Sequence, residues 1–233
     1  MKVSSPHLFS IVQDRRIFVA GCAAWLAGCA SPDWDSVKLS DTVDVARSDP
    51  RYTELDDHGQ HIPALDLSEI DRSNLRATTA YPTYYRPGTL VVDISARRLF
   101  HILGNNQATR YSVGVGREHA LNFRGSAVIG RKEMWPSWTP TAEMIERIPK
   151  YAAYSGGMPG GIENPLGARA LYLYRDGQDT HFRIHGTNEP YSIGTAVSSG
   201  CIRLLNHDII DLYARVALGT PIVVLPGSAV PSS

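Results

Sequence analysis

The chain has 233 residues, with 23 Lys plus Arg against 23 Asp plus Glu and 43% hydrophobic residues. A formal net charge of zero, with no Lys/Arg-rich run, argues against a nucleic-acid binder. The length holds one sizeable domain plus tails, and the apolar and charged fractions are those of a globular protein.

The N-terminus reads as an address rather than as fold. Lys2, Arg15 and Arg16 form a positive region, and Ile17 to Gly28 is an apolar run too short for an ordinary membrane span. It ends in Leu26-Ala27-Gly28-Cys29, which looks like a bacterial lipobox, whose Cys becomes lipidated and is the first mature residue. Val19 to Cys22 is a second match, but it leaves almost no apolar run before it; an ordinary cleaved signal or an uncleaved anchor is the alternative. Ala30 and Ser31 after Cys29, with no Asp, favour the outer membrane by analogy with such lipoproteins. Residues 1–28 are thus expected to be a signal peptide, and the protein to be periplasmic and attached to the membrane by a lipid anchor. Cleavage removes Lys2, Arg15, Arg16 and Asp14, leaving a mature charge of about −2. Cys22 is then gone and Cys29 carries lipid, so Cys201 has no intrachain disulfide partner. An oxidising compartment favours paired cysteines, so a lone thiol there needs burial or chemistry to explain it.

Residues 29–87 are expected to be a lipidated tether and N-terminal extension. Seven Asp residues between Asp33 and Asp57 and the lack of a sustained period make 30–60 a tether, while Ile62 to Leu67 and Ile70 are apolar enough to pack on a domain surface. Strands follow at Thr89–Ile94, Arg98–Leu103 and Ala108–Val115 as an antiparallel meander, and at Ser126–Arg131. Thr139 is placed to cap a helix over about 141–148, with Pro140 at its first position. Trp135 and Trp138 read as packing or as residues bordering a cleft. Ser155 to Gly161 is a Gly-rich loop with neither a G-K-[ST] ending nor a G-x-G-x-x-G between strand and helix, so it is no phosphate cradle. Ala170–Tyr174 and Thr180–His185 pair around Asp176-Gly177, with His181, Arg183 and His185 on one face. Asn206 is expected to cap a helix bearing Ile209, Leu212, Tyr213 and Val216, ended by Gly219 and Pro221; Ile222–Leu225 is a closing strand. The class is mainly β with two short helices.

Chemistry concentrates between Arg183 and Leu204, in R-I-H-G-T-N-E-P-Y-S-I-G-T-A-V-S-S-G-C-I-R-L. A thiol becomes a nucleophile when a base or cation favours its thiolate, and His185 is the available base, with an ordinary pKa near the working pH. Gly200, just before Cys201, lets backbone N–H groups come close to a substrate carbonyl. A buried structural Cys beside a satisfied His is the alternative. Arg203 is placed either to hold a substrate carboxylate or to tie down its loop; Ser199, Asn188 and Tyr191 are further candidate substrate contacts. With no H-E-x-x-H and no C-x-x-C, no metal ligand set is expected.

H-G-T followed by S-x-G-C-I-R resembles the signature of the L,D-transpeptidase catalytic domain, also called the YkuD domain. The resemblance extends through W-P-S-W-T-P-T-A-E-M, G-G-M-P-G-G and N-P-L-G-A-R-A-L-Y-L to G-T-P-I-V-V, covering about Gly88 to Leu225. One departure is Ser199, where many members carry His. The resemblance implies a β-sandwich-like catalytic domain over 88–226, followed by a C-terminal tail at 227–233. It implies no metal or organic cofactor. Cys201 would be the nucleophile, His185 its base, the Gly186 carbonyl the group orienting the base, and the Gly200 and Cys201 N–H groups the oxyanion donors. The implied substrate is a peptidoglycan stem peptide. The acyl group would pass to an amine of another stem or of an envelope protein, or to water. A non-catalytic wall-binding lipoprotein is the competing class.

Overall fold

A computed structural model describes residues 49–117, 122–198 and 200–225. The signal peptide, Cys29, Ser199 and the 227–233 tail therefore lie outside the described residues.

Residues 49–62 are folded, with a helical turn at Pro50–Tyr52 and a strand hairpin, which shortens the expected tether. Strands β1 (Leu55–Asp57) and β2 (Gln60–Ile62) form a hairpin around His58 and Gly59. Both turn residues have positive φ, as a tight two-residue hairpin turn requires. Strand β3 (Ala77–Ala80) pairs with β6 (Gln107–Ser112) at one edge of the main sheet. Tyr52, Leu67 and Leu75 are buried with Ile193 and Leu205 in a second core cluster. Asp57 grips Arg169 through two bonds of 2.6 and 2.7 Å.

Strands β4 (Leu90–Asp93), β5 (Arg98–Gly104) and β6 form the expected antiparallel meander. β6 ends earlier than its apolar run, and Val115–Gly116 is a separate strand, β7. β8 (Gly125–Met134) runs longer than expected, and its register shifts at Gly130, where a Cβ would overlap the Tyr174 ring. Helix α1 spans Ala142–Arg147 and is capped by Thr141, whose Oγ1 accepts from Met144 N at 3.2 Å. The cap is therefore Thr141 rather than Thr139, and Pro140 precedes it.

β9 (Arg169–Arg175) and β10 (Gln178–His185) pair around Asp176-Gly177. A register shift between Asp179 and Arg183, with His181 at φ 62°, takes His181 out of the alternation that Arg183 and His185 keep. β11 (Ala196–Ser198) pairs with β7, and β12 (Ile202–Arg203) with β10, both in parallel. Helix α2 covers Asn206–Arg215, and β13 covers Pro221–Leu225. β13 does not close an edge. It lies centrally, parallel to β4 and antiparallel to β8.

The nine-stranded sheet has the order β12-β10-β9-β8-β13-β4-β5-β6-β3. One core cluster takes Leu90, Leu99 and Tyr111 from one half of it, Ile129, Leu171 and Ile184 from the other, and Ile209 and Leu212 from α2. The two halves thus curl around a shared interior. Gly114, just past β6, bonds reciprocally with Arg203 of β12 at 2.9 and 2.8 Å. The outer edge of β12 is therefore not left open. The segment joining the candidate base to the candidate nucleophile lies at this seam.

Candidate active site

β10 and β12 run parallel, with Ile184 opposite Ile202 and His185 opposite Arg203. Ile184 and Ile202 are core residues, so by alternation His185 and Arg203 belong to the other face. Arg183 stands two residues before His185 on β10 and shares its face, and Cys201 stands just ahead of β12. The parallel register thus sets His185 beside Arg203 on neighbouring strands, which lie about 4.8 Å apart, while the thiol of Cys201 takes a backbone hydrogen bond from Arg183 of β10.

His185 is buried, and its Nδ1 lies 2.6 Å from the Gly186 carbonyl oxygen. A carbonyl only accepts, so Nδ1 carries the hydrogen and Nε2 keeps the lone pair of the neutral ring. The Leu166 carbonyl is a second backbone acceptor acting on this ring. Burial first, then the positive charge of Arg203, pushes the imidazole down to about 3. Cys201 is half-buried as a residue, and burial of its thiol raises the pKa. A backbone hydrogen bond from Arg183 and the charges of Arg183 and Arg203 act against that rise. The resting site accordingly favours a neutral thiol and a neutral imidazole. This differs from the expected His185 with an ordinary pKa near the working pH, because desolvation penalises the charged ring as it does the thiolate.

Gly200 adopts φ 120°, and its N–H donates to Ser198 Oγ at 3.1 Å. Ser198 Oγ in turn donates to the Cys201 carbonyl at 2.7 Å. The Gly200 N–H, expected as an oxyanion donor, is therefore engaged within the turn itself. Ser198 was not singled out from sequence; a hydroxyl two residues before a turn glycine is the signal that could have found it.

Arg203 Nη1 meets Glu189 Oε2 at 2.7 Å, so its partner is a side-chain carboxylate of the intervening loop. Asn188 Nδ2 donates to the Glu163 carbonyl at 2.9 Å, tying the base loop to the segment just past the Gly-rich loop. Tyr191 is 67% exposed. Trp138 bonds Met158 backbone to backbone and packs edge-on to Tyr151, while Trp135 Nε1 donates to Asp57; both serve packing here. A cavity of about 300 Å³ lies between residues 62–66 and the base loop at Thr187 and Asn188; neither Cys201 nor His185 lines it.

Asn206 opens α2 but does not cap it; the cap position is Leu205, which makes no side-chain capping bond. The Asn206 Oδ1 instead accepts from Ala168 N at 3.0 Å and Thr187 N at 3.3 Å.

The family model described as the L,D-transpeptidase catalytic domain, YkuD, matches residues 87–224. "Probable L,D-transpeptidase YcfS" of Escherichia coli (strain K12) is 34% identical over 151 residues, covering 63% of this chain and 46% of that protein. "Probable L,D-transpeptidase ErfK/SrfK" of Salmonella typhimurium is 35% identical over 149 residues, covering 62% and 46%. The chain thus spans about half the length of these curated relatives. A solved structure from Brucella melitensis, described as a "Probable carnitine operon oxidoreductase caia", is 46% identical and covers 67% of this chain and 96% of that one, with a TM-score of 0.46. The family model spans more than half of the chain and includes both His185 and Cys201, so this protein belongs to the L,D-transpeptidase catalytic domain family.

Proposed function

We propose that the protein is a peptidoglycan L,D-transpeptidase with Cys201 as its nucleophile. The observation that carries this reading is the hydrogen bond from His185 Nδ1 to the Gly186 carbonyl, which leaves Nε2 as a proton acceptor on β10, the strand whose Arg183 backbone also bonds the Cys201 thiol. Because both groups rest neutral, the proton moves from Sγ to Nε2 as Sγ attacks the carbonyl of the third stem residue. The oxyanion takes the Cys201 N–H as its donor, since the Gly200 N–H is already engaged. As the tetrahedral adduct collapses, His185 returns the proton to the amine of the terminal D-Ala, which departs and leaves a thioester. An amine then attacks the thioester, giving a 3→3 cross-link or an attached envelope protein, and Sγ recovers its proton. Water as acceptor makes the same site a carboxypeptidase.

The compartment and anchor belong to this reading: a periplasmic protein, lipidated on Cys29 and held at the outer membrane. Among the described residues no helix is long and apolar enough to cross a membrane. Metabolic labelling with a fatty acid tests the anchor, which fails if Cys29→Ser retains the label.

The test of the chemistry is intact-protein mass spectrometry after incubation with a disaccharide-tetrapeptide. A mass gain equal to the donor minus D-Ala, absent in Cys201→Ala, is expected. The raised thiol pKa favours a second reading, a wall-binding protein without turnover. Peptidoglycan binding with neither adduct nor product across varied tetrapeptide donors establishes that reading instead.

A further inference from the structure

We infer that Asn206 is the positioning residue for the base, acting on His185 through the backbone of Gly186. This rests on the assignment of His185 as the base. Three segments meet at the Asn206 side chain: Gly167-Ala168 before β9, Gly186-Thr187 after β10, and the start of α2. Its Oδ1 accepts from Ala168 N at 3.0 Å and Thr187 N at 3.3 Å, so one buried oxygen satisfies N–H groups on two of them.

The peptide unit joining Gly186 to Thr187 explains the link to the base. Its carbonyl accepts from His185 Nδ1, and its N–H donates to Asn206. A peptide group is planar, so fixing the N–H direction fixes the carbonyl direction opposite it. Asn206 thereby aims the oxygen that selects the Nδ1–H tautomer. The backbone packs closely around that oxygen. A Cβ on Gly186 would overlap Asn206 Oδ1 and come within 2.9 Å of Ala168 N. A Cβ on Gly167, itself at φ +61°, would overlap the same oxygen.

The side chain is also spared for this task. Residues of its type at a helix start ordinarily bond the first N–H groups of their own helix. Here the oxygen is directed to other segments, and α2 begins without a side-chain capping bond. The position of Asn206 is in turn fixed by α2, which Tyr52 anchors through a 2.9 Å bond to Asp208 and Lys132 through bonds to the carbonyls of Tyr213 and Val216.

The experiment combines a ring-nitrogen spectrum with single-turnover acylation. Protein labelled with ¹⁵N-histidine reports the His185 tautomer, assigned by loss of its signals in His185→Gln. Wild type should show Nδ1 protonated and Nε2 bare. Asn206→Leu keeps the volume and removes the acceptor; the His185 signals should move toward a tautomer mixture, and acylation should slow about 10- to 100-fold at unchanged donor KM. Asn206→Asp keeps the oxygen and should hold the tautomer, with the rate within a few-fold of wild type. The smaller Asn206→Ala replaces the Leu variant if that one does not fold. An unchanged tautomer and an unchanged acylation rate in a folded Leu or Ala variant overturn the inference, as does an Asp variant as impaired as the Leu one. Because the tautomer is read without substrate, failure of the transpeptidase reading leaves this result legible.

Discussion

At Cys201, burial raises the thiol pKa while Arg183 and Arg203 oppose the rise. Alkylation by iodoacetamide should therefore keep accelerating above the pH at which a free thiol, with a pKa of about 8.5, levels off. A plateau already at neutral pH would show that the resting site is an ion pair instead. Arg203→Gln removes one opposing cation and should slow alkylation at pH 8 by roughly fivefold, with the folded spectrum unchanged. His185, Gly186 and Cys201 were picked out by the H-G-T and S-x-G-C-I-R resemblance; spacing alone offered only a thiol beside a turn glycine and a His elsewhere. The partner of Arg203 was not legible. Which carboxylate a guanidinium meets depends on where the loop carrying Glu189 returns, and no local pattern encodes that.

Among the elements, those with long periods were read well. The β9–β10 hairpin and the Ile209, Leu212, Tyr213 stripe of α2 follow from alternation and helical spacing. β7, β11 and β12 hold only two or three residues each, too few for a period to declare itself. The central place of β13 was likewise hidden, because periodicity states which residues face the core and says nothing about which strands are neighbours. The same limit hid Asn206: its residue type signals a helix start, and only the return of two other segments makes its oxygen a clamp. Gly167→Ala tests how tightly these short elements are held. The new methyl meets Asn206 Oδ1, Thr187 N and Gly186 C on a residue already at positive φ. A loss of about 3 kcal/mol in chemical denaturation is expected. A loss below about 1 kcal/mol would mean that the three segments separate easily.

At the scale of the whole molecule, two buried groups titrate in opposite senses as pH falls. His185 is depressed to about 3, chiefly by burial, so the folded protein resists a proton that the unfolded chain takes up near the ordinary histidine value of 6.5. Its contribution to stability is present above 6.5 and is lost as pH falls toward 3. His101 and His207, also lowered mainly by burial, act in the same direction. Asp208 lies fully buried and is raised to about 7 by burial, against the opposing effects of Arg76, the Tyr52 hydroxyl and Arg51; Asp211, a like charge, adds to the rise. Below about 7 the folded protein holds this proton, which the unfolded chain takes up only near the ordinary carboxylate value of 3.8. Its contribution is complete below 3.8 and is lost as pH rises through about 7. Between about 4 and 6.5 the two effects therefore oppose each other. Thermal melts of wild type, Asp208→Asn and His185→Gln across pH 4 to 8 separate them. Relative to wild type, Asp208→Asn should lose stability more steeply on acidification, and His185→Gln less steeply. Parallel curves for all three proteins would mean that neither group holds its shifted proton affinity in the folded state. The Asp208 arm also reports on residues 49–76, which supply Tyr52, Arg76 and Arg51 to that carboxylate. Tyr52→Phe removes the one hydroxyl that donates to it at 2.9 Å. Ionised Asp208 then loses a donor, so the penalty should appear mainly above pH 7 and shrink below pH 5. A Tyr52→Phe penalty that did not change with pH would place its origin in the bond that the hydroxyl accepts from Arg76 N at 2.7 Å rather than in the carboxylate.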